Sequence, residues 1–78
     1  MWWWLDKKEE TEEAAIYEYG VATQDVSGKI LINKQTKEVT RIKRAYGDSD
    51  ELYLIFAGFV RSIIPEAGYP IKRSIAIG

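Results

Sequence analysis

The 78-residue chain has no cysteine and no histidine. Without cysteine it forms no disulfide, no zinc–thiolate centre and no thiol nucleophile. Without histidine it lacks the side chain that most often acts as a general base or binds a transition metal. Asp, Glu, Lys, Tyr and Ser remain for chemistry, but no pair of them lies in a stretch apolar enough to argue a tuned pKa. Long apolar runs are missing too. Nothing approaches the ~20 residues that span a bilayer. The opening MWWWL has no basic flank of the kind a signal peptide carries. A chain this short also leaves little room for a deep pocket. These absences lead us to expect a non-enzymatic, cytoplasmic protein with no cofactor, no metal and no membrane partner.

Charge is balanced overall and segregated locally. The formal net charge is −1. Residues 1–27 hold seven acids against two lysines, whereas residues 28–47 hold six basic residues against one acid. This pattern fits either an acidic leader lying near a basic hairpin or a bipolar surface that selects a charged partner.

What the chain does have is alternation. Residues 6–13, DKKEETEE, show no apolar period and read as a solvated linker or a single helical turn. Residues 14–25 then alternate as a strand, with Tyr17, Tyr19, Val21 and Thr23 on one face. Gly20 inside it suggests a bulge or a close backbone approach. After a turn at DVSG, residues 28–33 form a second strand and residues 38–45 a third. Val39 and Ile42 sit three apart in that third strand, which implies a slip or bulge. Ile71, Arg73, Ile75 and Ile77 mark a short C-terminal strand at about 71–77. The expected fold is one small α+β domain over residues 1–78. It has an antiparallel sheet of three to four strands packed against one main α-helix, at about residues 49–64.

That helix is the longest apolar stretch. Leu52, Ile55, Phe56, Phe59, Val60 and Ile63 fall in one broad arc, expected to be the core face. Asp48 and Glu51 have the spacing of a capping box, and Pro65 is expected to end or kink the helix at Ile64. The opposite side carries Tyr53, Leu54, Ala57 and Ile64, broken by Gly58, Arg61 and Ser62. A surface helix is normally polar there, so either the tryptophans or a partner should cover it. Gly58 costs about 1 kcal/mol against Ala in a helix interior, which suggests that another element approaches closely.

In an extended segment Trp2 and Trp4 share one face and Trp3 takes the other. They either lid the core or anchor a partner. The candidate partner-binding residues are therefore Trp2, Trp3, Trp4, Tyr53, Leu54 and Arg61. The charged-surface candidates are Glu9, Glu10, Glu12 and Glu13 on the acidic side and Arg41, Lys43 and Arg44 on the basic side. The acid pairs have the residue type of a hard-metal site, but a charge run of this kind is ordinarily a solvated face. A nucleic-acid reading would need Lys29, Arg41, Lys43, Arg44, Lys72 and Arg73 to gather on one sheet face, and the pI of 5.4 opposes it. A homodimer through Tyr53, Leu54 and Ala57 is a further alternative.

The succession EYGVAT (18–23), SGKI (27–30), DSDE (48–51) and YPIKRSIAIG (69–78), after a tryptophan-rich start, resembles small bacterial proteins of the toxin-immunity type. Such proteins bind and block one cognate toxin. The resemblance implies a cognate protein partner, such as a toxin domain, and carries over no catalytic residue.

Overall fold

Alternation starts earlier in the chain than expected. The computed structural model describes residues 1–22 and 25–77, and in it Trp2–Glu10 is already a strand, β1. Four more follow: β2 (Ala14–Val21), β3 (Gly28–Asn33), β4 (Val39–Lys43) and, after helix α1 (Asp50–Glu66), β5 (Lys72–Ala76). The sheet is antiparallel throughout, in the order β4-β3-β2-β1-β5. Five strands thus replace the three to four expected. Thr23 and Gln24, near the end of the strand expected at residues 14–25, and Gly78, the last residue of YPIKRSIAIG, lie outside the described residues.

The reading of residues 6–13 as linker or turn is corrected for its first five residues. They continue β1 despite their charge because both flanks of that strand are paired, to β2 and to β5. The charges also find partners. Lys7 Nζ donates to the Tyr69 carbonyl at 2.9 Å and pairs with Glu10, and Glu10 also pairs with Lys34 at 2.6 Å. The strand irregularity lies between Lys7 and Glu9, whereas Gly20 keeps regular register opposite Trp4. The slip expected in the third strand is present, between Lys29 and Ile30 where β3 meets β4.

One face of the sheet carries the core. Trp3, Leu5, Ala15, Tyr17, Tyr19, Val21, Ile30, Ile32 and Ile75 are buried there against Phe56, Val60 and Ile64 of α1. Its centre is a stack of flat rings: Trp3 and Phe56 centroids are 4.3 Å apart, and Tyr19 lies 5.1 Å from Phe56. Such aromatic pairs contribute about 0.5–1.5 kcal/mol beyond the area they bury. Gly28 is required beside this stack, since a Cβ there would collide with the Tyr19 ring and the Ala45 backbone.

The helix is rotated from the expected arc. Buried Phe56, Val60 and Ile64 are spaced i, i+4, i+8, which turns the core face toward Tyr53 and Ile64 and away from Ile55 and Phe59. Ile55 remains 50% exposed and Phe59 41% exposed. The cap is also corrected. Ser49, not Asp48, is the N-cap, and its hydroxyl accepts from Leu52 N–H at 3.2 Å. Asp48 is drawn inward instead. Pro65 does not stop the helix at Ile64. It sits in the last turn, and Gly68, in the left-handed region at φ +77°, closes the end. Nothing stands within contact distance of a Cβ built on exposed Gly58, so no element makes the close approach expected there.

Candidate protein-binding surface

The side of the sheet opposite α1 has no layer over it among the described residues. Alternation places Trp2, Trp4 and Asp6 of β1 on it, with Glu18 opposite Asp6, and Lys29 opposite Glu18. Trp2 and Trp4, two residues apart on one strand, stack with centroids 6.2 Å apart. Trp2 is 53% exposed and Trp4 half-buried. Across the strands, Ile16 and Leu31 are register partners on the same face, both half-buried. The row Lys72, Asp6, Glu18, Lys29 separates these two apolar groups, and Lys8 reaches Glu18 at 3.8 Å. The result is an aromatic pair within a field of mixed charge.

The other candidates are dispersed. Trp3 is 1% exposed and belongs to the core, so it presents no surface to a partner. Tyr53 is half-buried at the β4 margin of the helix, with the Arg41 guanidinium over its ring at 4.5 Å. Leu54 and Arg61 are exposed on the solvent side of α1. None of the tryptophans covers Leu54. Glu9, Glu10, Glu12 and Glu13 cluster around the β1–β2 hairpin. Lys34 and Lys7 hold the Glu10 carboxyl below its ordinary range.

Arg41 and Arg44 are committed to an internal brace. Arg41 donates to Asp50 at 2.6 Å and to buried Asp48 at 3.1 Å, and Arg44 donates to Asp50 at 2.7 Å. These arginines, Arg41 first, hold Asp50 below the usual carboxylate range. Asp48 also accepts from the Tyr19 hydroxyl at 2.5 Å. Burial, and then that bond, push the Tyr19 phenol well above its ordinary range. Lys43 is exposed on β4, the far edge from Lys72 and Arg73 on β5. The cations proposed for nucleic acid therefore do not gather: Arg41 turns to the helix side, while Lys29 and Lys72 are separated by Asp6 and Glu18.

Several exposed apolar residues were not foreseen as a group. Ile55 lines an apolar groove of about 260 Å³ with Met1, Trp3, Leu52 and Ile77. Phe59, one turn further along α1, extends the same flank. The i, i+4 spacing of Ile55 and Phe59 was visible in the sequence, but it was assigned to the core arc. No protein-family model, curated protein or solved structure matches the chain.

Proposed function

We propose that this chain is a non-enzymatic protein-binding module of the toxin-immunity type, whose helix-free sheet face docks a cognate protein. The observation that carries this reading is the stacked Trp2–Trp4 pair on the helix-free face, Trp2 exposed and Trp4 half-buried, bordered by Asp6, Lys8, Glu18, Lys29 and Lys72. Aromatic anchors inside a polar rim are the usual make-up of an energetically productive interface. Two carboxylates of the type used in chemistry support the same reading. Asp48 and Glu10 are both engaged by cations within the fold. The sign of charge alternates across the face, so it suits a partner of complementary pattern better than a uniformly charged polyanion.

The test is co-expression with the product of the adjoining gene, followed by titration calorimetry on the purified pair. Protection of the host cell and a 1:1 complex are expected. Trp2→Ala should weaken the complex by about 2 kcal/mol or more, and Leu54→Ser should leave it unchanged. A complex indifferent to Trp2 and Trp4 rejects this face, and no binding to the product rejects the immunity reading.

A further inference from the structure

The sheet has two edge strands, β4 and β5, and of the two it is β5 that adjoins the apolar groove beside α1. It pairs only with β1. Ile77 N–H donates to the Met1 carbonyl at 2.8 Å, and Lys7 N–H donates to the Ile71 carbonyl at 2.8 Å. With the register Trp3↔Ile75 and Leu5↔Arg73, this fixes which backbone groups face inward. Residues 71, 73, 75 and 77 turn their N–H and C=O toward β1, and Lys72, Ser74 and Ala76 turn theirs outward. A free row of donors and acceptors is a template for another strand.

The same edge is largely apolar on its helix side. Ile75 is in the core, and alternation puts Ile71 and Ile77 on that side with it, together with exposed Arg73. The flank of α1 above carries Ile55 and Phe59, open to solvent, and the groove lined by Met1, Leu52, Ile55 and Ile77 lies beneath. An occupant must therefore supply both an extended strand and apolar side chains at alternate positions. β5 itself meets both requirements.

We propose that the chain self-associates by antiparallel pairing of β5 with the β5 of a second copy, about a two-fold axis through Ser74. Charge selects this register. An axis at Lys72 would oppose two lysines, and an axis at Arg73 would oppose two arginines. An axis at Ser74 pairs Lys72 with Ala76 and Arg73 with Ile75 of the second copy. All three outward-facing residues then become hydrogen-bonded pairs, each exchanging both bonds. Ile71 and Ile77 of the incoming strand come in under the Ile55–Phe59 flank, with the Arg73 stem beside them and its guanidinium toward solvent, and the two sheets join into one of twice the width. The helix-free faces become continuous, with a Trp2–Trp4 pair on either side of the axis. The docking of a different protein to that face is a separate property, and it fails or holds independently.

The test uses the full chain and the absence of native cysteine. Sedimentation should show a monomer–dimer equilibrium in the micromolar range. Phe59→Lys and Ile55→Lys, at exposed positions, should each raise its dissociation constant about tenfold or more. Ser74→Pro removes only an outward N–H and should leave a monomer with an unchanged melting profile. Paired residues of this type have Cα atoms about 5.5 Å apart, within disulfide reach. Mild oxidation should therefore cross-link Ser74→Cys into a covalent dimer, and should not cross-link Lys72→Cys or Ala76→Cys. A monomer up to millimolar concentration overturns the proposal. So does a dimer that keeps its strength in Ser74→Pro and Phe59→Lys, or one that cross-links best through another position. An edge filled by a strand of a different protein, with no self-association, overturns it equally. Trp2→Ala, by contrast, should weaken partner binding and leave the self-association constant unchanged.

Discussion

At the β4 edge and at the β5 edge, the same helix meets the same sheet in opposite ways. An α-helix is about 10 Å across, and five strands at ~4.8 Å spacing are roughly twice as wide, so both margins of the sheet extend past it. On the β4 side the gap is filled. Arg41 lies over the Tyr53 ring, reaches Asp48 and Asp50, and is joined by Arg44. The Tyr53 hydroxyl contacts the Val39 carbonyl at 3.4 Å. On the β5 side no polar brace crosses from strand to helix among the described contacts, and Ile55 and Phe59 overlook an apolar groove. The contrast teaches that the arginine stem and guanidinium can stand in for missing core width. On the β5 side Arg73 faces the helix layer but makes no such brace among the described contacts, and the margin is left as a surface.

The largest expected effect is at the centre that both margins share. Phe56→Ala should cost about 3–5 kcal/mol in urea unfolding, because it leaves Trp3 and Tyr19 facing a cavity. A smaller loss would mean that the margins, rather than the ring stack, hold the helix. Next comes the sealed margin. Asp48→Ala leaves the Tyr19 hydroxyl and Arg41 without their buried acceptor, and about 2–4 kcal/mol should be lost. Phe59→Ser, on the open margin, should change monomer stability by under about 0.5 kcal/mol. If the two variants cost the same, the contrast between the edges fails. Smallest and opposite in sign is Gly58→Ala, at an exposed helix site with free space around it. It should stabilise by up to about 1 kcal/mol.

Alkaline pH probes the same asymmetry. Burial raises the phenols of Tyr53 at the β4 margin, of Tyr19, whose hydroxyl reaches the Asp48 of that margin's brace, and of Tyr17. For a raised phenol, the unfolded chain ionises first. The stabilisation is complete below the unfolded value near 10 and is lost as pH climbs through the folded value. Melting temperatures should therefore fall above about pH 10, and Tyr19→Phe should flatten that fall. A profile unaffected by Tyr19→Phe would place the alkaline loss elsewhere.

Much of this arrangement was readable from residue order. Residues 28–33 were delimited correctly because the β-prone run Ile30, Leu31 and Ile32 lies between a glycine and a turn-forming asparagine, whose Oδ1 accepts from Gln35 and Thr36 N–H. The division of Trp2 and Trp4 from Trp3 followed from strand geometry alone. The charged half of β1 was missed because its justification is long-range: Lys7 meets Tyr69, and Glu10 meets Lys34. The helix was found, but its rotation was not. Apolar residues lie nearly all round it, and only the position of the sheet decides between Ile64 and Phe59 for burial. The binding surface suffered from the same ambiguity, since Tyr53 and Leu54 are neighbours in sequence yet one faces Arg41 and the other solvent.

The pairing of β1 with β5 also sets an order of events during synthesis. Among the described strands, β1 is made first, and β2 soon covers one of its sides. Its other side waits for β5, on the far side of β3, β4 and the whole helix. Until then Trp3 and Leu5 stand at the rim of an incomplete sheet. Contacts so distant in sequence close slowly, on the millisecond-to-second scale typical of non-local β pairing. Through that interval the unpaired side of β1 is an open strand edge, which a foreign strand can occupy in place of β5.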